Sequence, residues 1–134
     1  MSIHYAFEPD LPVREFQDIL LASTLAERRP VNDPARLEQM LRQADLVLTA
    51  REEGRLVGIA RAVTDFSYCC YLSDLAVAAD RQRQGIGKTL IARMRAELGD
   101  GVTLILVAAP AAQAYYPKIG MAHLPGCWAF ARAR

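Results

Sequence analysis

The chain has 134 residues, 52% hydrophobic and 23% charged, the profile of one globular domain (residues 1–134) able to bury its own core. Sixteen basic and 15 acidic side chains leave a formal net charge of +1, which offers no field for a polyanion and argues against nucleic acid or an anionic membrane as the main partner. No run of about 18 apolar residues occurs, as a membrane-spanning helix needs, and Met1-Ser2-Ile3-His4 lacks a signal peptide's basic start, so a cytoplasmic protein is expected.

Residues 2–8 alternate loosely and predict a first strand. Pro12 suits the first turn of a helix that carries Val13, Phe16, Ile19 and Leu20 at helical spacing. Asn32-Asp33-Pro34 announces a second helix, with Asp33 as cap and Leu37, Met40 and Leu41 on one face. Leu46–Arg51 and Leu56–Val63 are β-prone runs around Glu52-Glu53-Gly54-Arg55, which reads as an antiparallel hairpin. Tyr68–Val77 is a long, mostly apolar strand suited to the middle of a sheet. A glycine loop at residues 82–87 then opens a helix with Ile91, Met94 and Leu98 on one face, stopped by Gly99. Val102–Val107 predicts another buried strand, Ala111–Ile119 a short helix, and Met121–Ala133 a final strand pair around Pro125-Gly126. The order implies a mixed α/β (α+β) domain rather than an all-parallel sheet, because a tight hairpin sits among the alternating elements.

Three cysteines, Cys69, Cys70 and Cys127, form neither a disulfide framework nor a zinc spacing, so no metal is expected.

The loop Gln82-Arg83-Gln84-Gly85-Ile86-Gly87 carries the chemistry. A helix N-terminus presents unpaired N–H groups and partial positive charge, so it suits a phosphate. Glycines at 85 and 87 let an anion approach the backbone, and Arg81, Arg83 and Lys88 add positive charge. A dinucleotide fingerprint would need glycine at Leu90, and a P-loop would need glycine at Gln82. The third pattern is complete: Gln or Arg, two residues, Gly, one residue, then Gly or Ala, placed between a strand and a helix.

Tyr71-Leu72-Ser73-Asp74-Leu75-Ala76-Val77 followed by Gln82–Lys88 resembles the acetyl-CoA motif of the GNAT superfamily of N-acetyltransferases. Ala114-Tyr115-Tyr116-Pro117-Lys118-Ile119-Gly120-Met121 resembles that family's Phe-Tyr-x-Lys-x-Gly-Phe segment, and the element order agrees over nearly the whole chain. Met121 replaces the second Phe, and Ala109 stands where the family often has an asparagine.

The resemblance implies a mixed, mostly antiparallel sheet of six to seven strands with about four helices on both faces, splayed at its central strands. It implies acetyl-CoA as co-substrate, held by Leu75, Ala76 and Val77 and by Gln82, Arg83, Gln84, Gly85, Ile86, Gly87 and Lys88. It implies direct attack of a small-molecule amine on the thioester, with Tyr116 as proton donor to the leaving thiolate, and pairing of copies as a homodimer.

The general base is open. Strict alternation would put Tyr71, Ser73 and Leu75 on one face and Leu72, Asp74 and Ala76 on the other. Their place in the family's motif implies that Tyr71 and Ser73 face the acetyl end, so Asp74 points away unless a bulge near residue 75 re-aims it. Asp65, Phe66, Tyr68 and Trp128 are candidates to line the acceptor pocket, and His123 to reach it. A non-catalytic acyl-CoA-binding module is the alternative reading, as is acetylation of a peptide amine.

Overall fold

The computed structural model describes residues 2–133. Five strands form one sheet in the order β1 (His4–Phe7), β2 (Leu46–Glu52), β3 (Arg55–Thr64), β4 (Cys69–Val77) and β5 (Thr103–Ile105). Neighbours are antiparallel except β4 and β5, which run parallel.

The helices are α1 (Val13–Ala22), α2 (Pro34–Gln43), α3 (Ile86–Leu98) and the short α4 (Tyr115–Lys118). Local chemistry explains several boundaries. Asp33 caps α2 by accepting the Arg36 N–H at 3.2 Å, with Pro34 in the first turn. Glu53 and Gly54 both have positive φ (50° and 83°), the backbone that a two-residue hairpin loop requires.

Two apolar layers sandwich the sheet. Phe16, Ile19 and Leu20 of α1 and Leu37 and Leu41 of α2 pack on Val47, Ile59 and Ala76. On the opposite face, Ile86, Leu90, Ile91, Met94 and Leu98 of α3 pack on Leu48, Ala60, Ala62, Cys70 and Leu72. Burying each such side chain contributes roughly 1.5–3 kcal/mol before ordering costs. Gly58 lets α3 come close: a Cβ there would lie 3.0 Å from Ile86 Cγ2 and 3.3 Å from Leu90 Cδ1. The first turn of α3, and with it the glycine loop, is thereby set against β3.

Three sequence expectations are corrected. The described residues hold five strands, not six to seven. Residues 121–133 contain no strand, and their Leu124, Trp128 and Phe130 are exposed. A strand exists only with a partner, and the turn at Pro125-Gly126 brings none. The helix expected at Ala111–Ile119 is a 3-10 turn (Pro110–Ala112) followed by α4.

Alternation also fails along β4. Arg61 pairs with Asp74, but the next residue, Ala62, pairs with Leu72, so Ser73 is an extra residue in the ladder. Cys70 and Leu72 therefore join the α3 layer, while Ala76, paired with Ile59, lies in the α1/α2 layer, as does Asp74 opposite Arg61. Leu72 does not share a face with Asp74 and Ala76.

Candidate active site

The site is built around an opening in the sheet. β5 pairs with β4 only at Cys69↔Thr103, Cys70↔Leu104 and Tyr71↔Ile105, yet β4 runs on to Val77. From Leu72 to Val77 the β4 edge that turns away from β3 has no ladder partner among the described residues. That stretch contains Leu75, Ala76 and Val77.

At the end of this edge the chain reverses through residues 78–85 into α3. Arg83 and Gly85 both have positive φ (64° and 82°), and Gly85 is the residue preceding the first turn of α3. The first-turn N–H groups of α3 thus start beside the end of β4. Gln82 ties the loop to the strand by donating from Nε2 to the Val77 carbonyl at 3.0 Å. Arg81, read as a phosphate-facing cation, instead pairs with Glu52 at 2.7 Å. Arg83, Gln84 and Lys88 are exposed, and neither cation forms an ion pair among the described residues.

α4 closes the other side. A Cβ on Gly87 would lie 3.4 Å from Tyr115 Oη and 3.8 Å from Val77 Cγ2, ordinary contact distances, so a side chain longer than alanine is what would crowd this space. Tyr115 thus reaches the glycine loop. Tyr116 stands edge-on to it, with ring centroids 5.3 Å apart, and packs half-buried against the α3 layer with Leu75 and Val77. Burial, with the neighbouring Tyr115 phenol, raises the Tyr116 pKa above the usual value. A phenol so placed stays protonated at neutral pH and can donate a proton.

Asp74 is fully buried and does not act as a free carboxylate. One oxygen accepts from Arg29 Nε at 2.5 Å, and the other accepts from Arg61 Nε. The bulge lies at Ser73, two residues before the expected place, and turns Asp74 toward these two arginines. Ser73 belongs to the same cluster: its carbonyl accepts from Arg29 Nη2 at 2.7 Å and its Oγ from Arg61 Nη2 at 3.1 Å. Tyr71, half-exposed, lies across from Val63 and Ile105.

Arg29 and Arg61 escaped the sequence reading. An arginine inside the apolar run Leu56–Val63 was a signal, because a charge in a buried strand needs a partner. Arg29, 45 residues from Asp74, gave none. Asp65 is spent on its own loop, where its Oδ1 accepts N–H groups of Ser67, Tyr68 and Cys69 at 2.9, 2.8 and 3.1 Å. Trp128 and His123 lie exposed in the tail.

A sheet split beside a glycine turn that opens a helix defines an acyltransferase fold. The chain belongs to the GNAT acetyltransferase family: residues 22–124 match its acetyltransferase (GNAT) domain. Solved structures agree on the fold. A GNAT family acetyltransferase of Streptococcus pneumoniae superposes with a TM-score of 0.78 at 21% identity, covering 99% of this chain and 98% of that one. An aminoglycoside N-acetyltransferase in complex with CoA gives 0.73 at 17% identity, over 99% and 96%. A ribosomal-protein-alanine N-acetyltransferase of Brucella melitensis gives 0.72 at 20% identity, over 100% and 99%. A search of curated protein sequences gives no match. No helix among the described residues is long and apolar enough to cross a membrane.

Proposed function

We propose that the protein transfers an acetyl group from acetyl-CoA to a primary amine of a small molecule, by direct attack in a ternary complex. The observation that carries this reading is the unpaired β4 edge from Leu72 to Val77, ending at the glycine turn of α3. An extended, hydrogen-bonding chain with phosphates at one end fits that combination. Leu75, Ala76 and Val77 would hold the pantetheine arm by backbone hydrogen bonds. The N–H groups of residues 83–88 would hold the pyrophosphate, with Arg83 and Lys88 adding charge. The space that Gly87 leaves under Tyr115 is the fit test within the loop, since a larger side chain would fill it.

In the reaction the amine nitrogen bonds to the thioester carbonyl carbon, the carbon–sulfur bond breaks, and the sulfur leaves as thiolate. A backbone N–H near Leu75 is suited to the developing oxyanion. Tyr116 supplies the proton to the thiolate, consistent with a phenol that burial keeps protonated. Asp74 is not the base, because both its oxygens already face guanidinium groups. Proton removal from the amine falls to water held near Tyr71 and Ser73. The relatives acetylate acceptors as different as an aminoglycoside and a ribosomal-protein alanine, so the fold does not choose the amine. Homodimer formation belongs to the same proposal, and the exposed Trp128 and Phe130 of the tail are the side chains it would cover.

Thermal melting with acetyl-CoA, ATP and NAD tests the reading. Saturation at a hundred times the dissociation constant adds about 2.7 kcal/mol, a shift of several degrees. A shift with acetyl-CoA alone, followed by thiol release with members of an amine panel, supports transfer. Binding without thiol release supports a non-catalytic acyl-CoA module, and a shift with ATP or NAD alone overturns the assignment.

A further inference from the structure

Two arginines converge on one carboxylate at the β4 bulge, and charge balance accounts for only one of them. Arg61, directly across the ladder from Asp74, is nearly as buried as its partner and already neutralises it. It also reaches Ser73 Oγ at 3.1 Å and the Met40 carbonyl at 3.3 Å. Arg29 adds a second cation to the same carboxylate, an arrangement that costs desolvation and mutual repulsion. Its geometry shows what it adds. One guanidinium group spans the side chain of residue 74 (Nε to Oδ1, 2.5 Å) and the main chain of residue 73 (Nη2 to O, 2.7 Å). A planar fork can fix the orientation of the peptide between those two residues, which an ammonium or a single hydrogen bond cannot.

We propose that Arg29 is a positioning residue that holds the Ser73–Asp74 peptide, and through it the start of the open β4 edge, in the orientation that acetyl transfer requires. This rests on the reading of the site as an acetyl-CoA transferase. The bulge sets which way the peptides from Ser73 to Leu75 point, and the oxyanion donor is expected among them. Arg29 comes from the connection between α1 and α2, just after the 3-10 turn Leu25–Arg28. That connection is otherwise tied back to α1, where Gln17 Nε2 donates to the Val31 carbonyl at 2.6 Å. The one guanidinium therefore joins a loop on the α1/α2 face to the strand that would carry the thioester.

The test compares wild type, Arg29→Gln and Arg29→Lys, using acetyl-CoA with excess hydroxylamine as a simple amine and following thiol release above the enzyme-free rate. Arg29→Gln should still melt cooperatively, because Arg61 keeps Asp74 paired, and should keep the wild-type melting shift with CoA. Its kcat should fall tenfold or more while its KM for acetyl-CoA stays within threefold, and Arg29→Lys should recover part of the loss. A kcat within twofold of wild type in Arg29→Gln overturns the proposal, as does a loss carried wholly by KM. Should Arg29→Gln fail to fold, Arg29→Lys decides: reduced kcat at unchanged KM supports the proposal and wild-type kcat overturns it. A wild-type protein with neither a CoA melting shift nor thiol release defeats the transferase reading itself. Wild-type turnover with an unaffected Arg29→Gln defeats this inference alone.

Discussion

Arg61 and Asp74 face one another across β3 and β4 at the rung where the ladder slips by one residue, both of them buried. Removing the carboxylate leaves two guanidinium groups, Arg61 and Arg29, without their shared anion. Asp74→Asn should therefore destabilise the fold by about 3–5 kcal/mol, read as a lower urea midpoint. An Asp74→Asn protein of wild-type stability but abolished turnover would return Asp74 to the role of base.

The two loop glycines should respond differently to substitution. Gly85 sits at φ 82° with open space around its Cβ position, so Gly85→Ala adds strain without obstruction. The expected loss is about 1–2 kcal/mol in stability, with a smaller loss of CoA affinity than at Gly87. Gly87 faces Tyr115 Oη and Val77 instead. Gly87→Leu should fill that space and remove most of the CoA-induced melting shift. Isothermal titration of both variants with CoA separates the two effects.

Tyr116→Phe should lower turnover by roughly a hundredfold or more, the usual scale for a lost general acid, and leave CoA affinity nearly unchanged. Burial raises the Tyr116 pKa, and the acid acts in its protonated form. Activity owed to this group should thus persist through the ordinary phenol range near 10 and decline only above it. A pH–rate profile of the wild type that turns down well below that range would assign the limb to another group.

Asp65 gives a stability prediction with a defined sign. Hydrogen bonds from the backbone of Tyr68, Ser67 and Cys69 lower its pKa from 3.8 to about 2. A carboxyl group with a depressed folded-state pKa contributes stability above its unfolded value and loses it as pH falls through the folded one. Asp65→Ala should melt below wild type at neutral pH, and the gap should narrow between pH 3.8 and about 2. A gap that stays constant across that interval would show that the carboxylate charge plays no part.

What the sequence revealed followed the range of the interactions. The α2 cap at Asp33 and the Glu53-Gly54 turn are decided within a few residues, and both were legible. The glycine loop was legible for the same reason, since a strand end, a left-handed Gly85 and a helix start are neighbours in the chain. The slip at Ser73 was not, because register belongs to two strands at once and nothing near residue 73 states it. The tail failed in the opposite sense: residues 121–133 are apolar enough to suggest strands, but pairing needs an edge that their own sequence cannot report. The Tyr115 contact with the glycine loop depends on how α4 folds back over α3, which is again a matter of tertiary packing.

The brevity of the β4–β5 pairing has a dynamic consequence. Three residue pairs, and half-buried side chains such as Leu104, Leu106 and Ile119, attach β5 and α4 to the rest of the fold. Such a margin opens locally at a free energy below that of global unfolding, whereas β2 and β3, paired on both sides, open only with the whole domain. Any chain-like ligand laid along Leu72–Val77 would extend that seam and slow its breathing. Amide exchange over residues 103–119 should then act as a built-in occupancy gauge, slowing through local closure while β3 slows only as global unfolding does.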